Sequence, residues 1–111
     1  MAHEEKTARI RELNDRLRKT HCGGRVMLTC GVAALPLETQ SNILRAVIGF
    51  DDFTNDNDPH GEHDCSSLSV SDHRIIWKID YYDMDMVYAS PDPADPAVTA
   101  RVMTVMLAEE Y

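Results

Sequence analysis

Ten consecutive residues, DNDPHGEHDC from Asp56 to Cys65, bring together four carboxylates, two histidines and a thiol. That set could hold a divalent cation, run acid–base chemistry, or simply be a hydrated acidic loop. A calcium loop is the first test. With Gly61 at the sixth position of a helix–loop–helix site, Asp56, Asp58 and His60 fall at the first, third and fifth. The bidentate Glu needed at the twelfth position is Ser67, and strands rather than a helix are expected to follow, so that motif fails. A looser calcium or magnesium site could be built from Asp56, Asp58, Glu62 and Asp64. Zinc would need His60, His63 and Cys65, completed by His73 or Asp80, but H-x-x-H-x-C is no zinc framework.

Catalytic constellations fare no better. His60-Gly61-Glu62 has the H-x-E of zinc deaminases, without the P-C-x-x-C that must follow. Cys65 with His63 or His73 has the types of a nucleophilic pair and no supporting signature. Asp64, Asp80 and Lys78 could form a metal-dependent nuclease centre, but such a centre needs basic surroundings to hold phosphates. Here residues 51–95 carry twelve Asp or Glu against Arg74 and Lys78 alone. There is no glycine-rich phosphate loop. The balance leans against an enzyme.

The charge points elsewhere. The 111-residue chain has a net charge of −8, while residues 1–20 hold six Lys or Arg against four acids. An acidic field of this kind repels nucleic acid and anionic membranes and attracts basic protein surfaces. The bland alternative is that acidity serves solubility alone. Three cysteines, an odd number without a C-x-x-C pair, suit reduced thiols in the cytoplasm. No apolar run suits a membrane span or a secretory leader, and the length suits one domain, 1–111.

The elements that must position these groups follow from periodicity. Ile10, Leu13 and Leu17 predict an amphipathic helix over residues 4–20, stopped by Gly23-Gly24. Its Lys6, Arg9, Arg16 and Lys19 offer a basic face, for self-association or for pairs such as Glu5–Arg9 and Glu12–Arg16. Residues 25–32 alternate as a strand. Pro36 opens a second helix, with Ile43, Leu44, Val47, Ile48 and Phe50 on its apolar face. Residues 51–64 form the one long loop. SSLSVS and RIIWKIDYY alternate as a hairpin about Asp72-His73, which would set Cys65 opposite Asp80 and Ser67 opposite Lys78. His63 would then share the outer sheet face with Cys65, Lys78 and Asp80. A third strand is expected at MVYAS, and Asp95-Pro96 should open a last helix from 96 to about 109. Its Val98, Val102 and Met106 would cover Ile75, Trp77 and Ile79. The predicted order is αβαβββα: an α+β domain with a small antiparallel sheet and helices on one face.

In FDDFTNDNDPHGEHD, WKIDYYD and YASPDPADPAVTARVMTVMLAEEY the chain resembles domain of unknown function 3768, small proteins of alphaproteobacterial genomes and their plasmids. The resemblance runs from IRELND to Tyr111. It departs at Cys65, where an aromatic residue is expected, and at Ser66, where Gly usually follows; this favours a packing role for Cys65. The family implies no activity, cofactor or catalytic residue, only a setting among accessory proteins of mobile elements. The combined expectation is a non-enzymatic interaction protein, of the anti-restriction or anti-CRISPR type. It would need no cofactor, touch neither nucleic acid nor membrane directly, and occupy the basic channel of a nucleic-acid-binding defence complex. Its binding residues would be Asp51, Asp52, Asp56, Asp58, Glu62, Asp64, Asp80, Asp83 and Asp85. The rival reading is a metal-dependent enzyme or metal-binding module centred on Asp58, Glu62, His63 and Asp64.

Overall fold

The computed structural model describes residues 2–111. Helix α1, His3–Thr20, carries Glu4 and Glu5 in its first turn and Arg18 and Lys19 in its last, the arrangement its dipole favours. It ends at His21, which takes a left-handed conformation and donates its N–H to the Leu17 carbonyl. Strand β1, Arg25–Leu28, is shorter than the predicted 25–32. Thr29 hands its N–H to the Val105 carbonyl, and Cys30–Ala33 then coil into a single turn, α2, that buries Val32. Helix α3, Leu37–Ile48, follows Pro36 as expected and buries Ile43 and Val47.

After the long loop, β2 (Cys65–Val70) and β3 (His73–Tyr82) form the expected hairpin. Its turn is Ser71-Asp72, one residue earlier than predicted, with Ser71 at φ 54°. Cys65 therefore lies opposite Lys78 and Ser67 opposite Ile76, two residues from the predicted partners. A two-residue shift keeps the parity of a strand, so the faces are unchanged. Ile75, Trp77 and Ile79 point into the core, as expected, and Cys65, Lys78 and Asp80 point away from it.

The C-terminal half departs most from expectation. MVYAS is a folded loop, joined to β3 only by a Tyr82–Ala89 bridge. The Asp83 carboxylate accepts the Val87 N–H, and Met86 sits at φ 61°, which prevents a ladder there. Asp95 caps a helix at Pro96, but only the three-residue 3-10 turn Pro96–Val98. The predicted last helix is strand β4, Ala100–Leu107. It is the second strand of a mixed sheet ordered β1-β4-β3-β2, parallel to β1 and antiparallel to β3. Flanked on both sides, it buries residues on both faces, so its apolar run has no period of two and mimics a helix. The β-branched Val102, Thr104 and Val105 suit it to the strand. Trp77 pairs with Val105; Val102 and Met106 pair with Asp80 and Ile76 and so face away from Trp77.

The fold is thus α+β, in the order αβααβββ, with a mixed sheet in place of an antiparallel one. The core lies between the helices, through Leu17, Val32, Ile43 and Val47, and one sheet face, through Ile75, Trp77, Ile79, Met103 and Val105. Helices α1, α2 and α3 all pack on that one face. Among the described residues no helix is long and apolar enough to cross a membrane.

Candidate functional site

The acidic loop folds back onto α1. A turn at Thr54–Asn57, in which each side chain bonds the other residue's N–H, starts the fold-back. Gly61, at φ 70°, then brings the backbone against Thr7 and Arg11 of α1. This places His63 on the helix side of the sheet, not on the outer face with Cys65. Its ring lies flat on Phe53, centroids 3.7 Å apart and planes within 3°. Nδ1 is 2.9 Å from Asp15 Oδ1, and Nε2 is 3.6 Å from Asp58 Oδ2. The Asp58 carboxylate also accepts the His63 N–H at 3.1 Å. Asp15 Oδ1 accepts from Arg18 too, whose guanidinium donates to the carbonyls of Val47, Ile48 and Phe50. Arg18 therefore caps the C-terminal end of α3 while it holds the acidic loop through Asp15.

A second group lies beside it. Tyr81 donates its hydroxyl to Glu62 Oε1 at 2.7 Å. Asn14 Nδ2 donates to the Tyr81 oxygen at 2.7 Å and to the Glu62 carbonyl at 3.0 Å. Arg101 Nε donates to Asn14 Oδ1 at 2.7 Å, and the Arg101 guanidinium reaches the Pro93 carbonyl. Burial, reinforced by Glu62, pushes the Tyr81 hydroxyl far above its ordinary range, so it stays a donor at any physiological pH. Burial draws Arg101 below its ordinary value. Every group here has a protein partner, and the cluster fastens loop, helix and sheet together.

The outer sheet face has two hollows. One, of about 300 Å³, is bordered by Asp64, Cys65, Lys78, Asp80 and Tyr111. Burial raises the Cys65 thiol, and the charges of Asp64, Asp58 and Asp80 raise it further, the opposite of what a nucleophile needs. Lys78 is tied to Asp80 by an ion pair that raises the ammonium above its usual value. The other hollow, of about 500 Å³, is lined by Arg25 and Met27 of β1, Val102 and Thr104 of β4, Tyr82, and Met86.

These positions divide the nine acids expected to form one binding surface. Asp51, Asp52, Asp56 and Asp85 are exposed. Asp80 is half-buried with Lys78, and Asp83 holds its own turn. Asp64 is half-buried, its carboxyl raised chiefly by that burial. Asp58 is buried and turned to His63, and Glu62 is turned to Tyr81, so neither belongs to a free surface. The rival metal set, Asp58, Glu62, His63 and Asp64, is not brought together either. Asp58 and His63 face each other, Glu62 faces Tyr81, and among the described residues no three His, Cys, Asp or Glu side chains converge to hold an ion.

Asn14, Asp15, Arg18, Tyr81 and Arg101 were not singled out from the sequence. One signal was present: Asn14 and Arg18 continue the stripe begun by Ile10, Leu13 and Leu17 at spacings of three and four. Polar residues on an inward helix face must find buried partners.

A small α+β domain with a mixed four-stranded sheet, an acidic strap and, among the described residues, no convergent metal-ligand cluster is what fold and site define. Residues 28–110 match the model of a family described as protein of unknown function (DUF3768), and the chain belongs to that family. No curated protein and no solved structure matches it.

Proposed function

We propose that this protein is a non-enzymatic binding protein that captures a basic protein surface. Its setting is the cytoplasm, as an accessory of a mobile element, and its target is a defence complex that holds nucleic acid in a basic channel. The observation that carries the reading is that Asp51, Asp52 and Asp56 are exposed on one strap, with Asp85 exposed in the loop after β3, and none of the four is in an ion pair among the described residues. A charge left unpaired at the surface contributes nothing to folding that its neighbours do not supply, but it steers encounter with an opposite charge. The three unpaired cysteines support a reducing compartment.

The test is a plasmid-establishment assay in hosts with an active restriction or CRISPR system. Expression of the native chain should raise establishment, and the Asp51→Asn, Asp52→Asn, Asp56→Asn, Asp85→Asn variant should raise it far less at equal abundance. Equal establishment with and without the native chain in every defence-positive host would sink the anti-defence reading.

A further inference from the structure

We propose that the free edge of β2 receives a second copy of this chain, the two β2 strands pairing antiparallel about a two-fold axis at Ser67. The inference stands apart from the reading above. β2 ends the sheet ordered β1-β4-β3-β2, so one of its edges has no strand beside it. Which of its peptide groups look out follows from one bond. Ile79 donates its N–H to the Asp64 carbonyl at 2.6 Å, in a ladder that sets Cys65 opposite Lys78. Bonded and non-bonded pairs alternate in an antiparallel ladder, so Asp64, Ser66, Leu68 and Val70 turn their N–H and C=O groups to β3. Those of Cys65, Ser67 and Ser69 look outward. All three residues are exposed, and among the described residues nothing takes these backbone groups. Arg74 reaches only the hydroxyls of Ser67 and Ser69.

A free edge is ordinarily blunted by shortness, a charge, a proline or a bulge. The other edge, β1, is four residues long and begins with Arg25. β2 has six residues, CSSLSV, with no charge and no proline, and its register against β3 is unbroken. Register and charge then choose the occupant. In a two-fold antiparallel pair the side chains keep their faces only if the axis passes through a residue. That residue bonds its own copy only if its peptide groups look outward. Ser67 is the middle one of the three that do. An axis there pairs Ser67 with itself and Cys65 with Ser69 of the second copy, which uses every outward N–H and C=O of both strands. The outer side chains along this seam, Cys65, Ser67 and Ser69, are all small. On the core side the half-buried Leu68 of each copy becomes a diagonal neighbour of the other, about 7–8 Å away and within reach of a long side chain. A charged foreign strand finds no counter-charge along β2, and a second β2 needs none. The net charge of −8 on each copy opposes the approach at low ionic strength, and salt screens it.

Sedimentation of the full chain at rising concentration should show a monomer–dimer equilibrium that added salt strengthens. Ser67→Lys sets two ammonium groups at the axis and should leave a monomer, its Trp77 emission maximum unchanged to show that it folds. The register is read with a bifunctional thiol reagent no longer than the Cα spacing of a bonded pair, about 5.5 Å. In a chain carrying Cys22→Ser, Cys30→Ser and Cys65→Ser, Ser67→Cys should be linked to its copy. Ser69→Cys in the same chain should not, because the two copies of position 69 lie four residues apart along the strands, about 14 Å. A chain that stays monomeric at every concentration and salt overturns the proposal and leaves the edge to a strand of another protein. A dimer that survives Ser67→Lys overturns it too; if salt weakens that dimer, the basic face of α1 has met the acids of another copy. Equal linking at positions 67 and 69 refutes the register and with it the axis at Ser67.

Discussion

Asn14 and Arg101 meet inside the molecule, Arg101 Nε donating to Asn14 Oδ1 across 2.7 Å and so joining α1 to β4. Asn14 uses its other end for Tyr81 and the Glu62 carbonyl, which makes one amide the junction of helix, sheet and acidic loop. Asn14→Leu keeps the branched shape but strands a buried guanidinium N–H and the Glu62 carbonyl. The expected cost is about 3 kcal/mol, read from the urea midpoint. Asn14→Asp is expected to destabilise as well, because its carboxylate meets the Glu62 carbonyl where an N–H donor stood.

Trp77 is fully buried and lies edge-on to Phe50 and Phe53, its centroid 5.9 and 6.1 Å from theirs. Replacement by Ala should cost ~3–5 kcal/mol. Its indole N–H has no hydrogen-bond partner among the described residues, so Trp77→Phe gives up packing without giving up a bond and should cost clearly less. The native emission maximum should be blue-shifted; a water-like maximum would refute the core placement.

The sequence was most legible where one face of an element is wet. α1, α3 and the β2–β3 hairpin announce themselves because Leu13 and Leu17, Ile43 and Val47, or Ile75, Trp77 and Ile79 recur against exposed neighbours. β4 was illegible for the converse reason: Arg101, Val102, Met103, Val105 and Met106 are all buried, and a run without a polar face carries no period. The loop was half legible. Its acids could be counted, but which of them turn inward depends on Gly61 and His63, whose positive φ redirects the chain, and on partners 48 residues away or more, as Asn14 is from Glu62. Side-chain pairing at that range leaves no local pattern.

Glu110 ties the C-terminus to the β1–α2 junction and makes stability sensitive to acid. Thr29, first, and then the Leu107 and Gly31 amides donate to its carboxylate and hold it below the usual range. A depressed carboxyl contributes stability that is present above its unfolded value, about 4.3, and is lost as pH falls through its folded value. Glu110→Gln should therefore lower the urea midpoint at neutral pH and make no difference well below pH ~4. A Cβ at Gly31 would lie 2.6 Å from that carboxylate and push the Glu110 side chain off its donors. Gly31→Ala should reproduce the loss and fail to add to Glu110→Gln, as two changes to one contact do. Additive effects would show that the clamp does not operate.

Cys65 should be a slow thiol despite its exposure. Burial of the sulfur raises it first, and Asp64, Asp58 and Asp80 follow by charge, so little thiolate is present near neutral pH. With Cys22 and Cys30 changed to Ser, alkylation of Cys65 by iodoacetamide should run slower than that of a free small-molecule thiol at the same pH. Asp64→Asn should quicken it by removing the largest of those charge effects. The same change bears on stability with the opposite sign to Glu110. Burial raises the Asp64 carboxyl, so its contribution favours folding below the unfolded value, about 3.9, and is lost as pH rises through the folded one. Asp64→Asn is thus expected to raise the urea midpoint at pH 7 while leaving acid stability unchanged. A thiol that alkylates as fast as an activated cysteine, and does not respond to Asp64→Asn, would return Cys65 to the list of nucleophiles and reopen the case for catalysis on the outer sheet face.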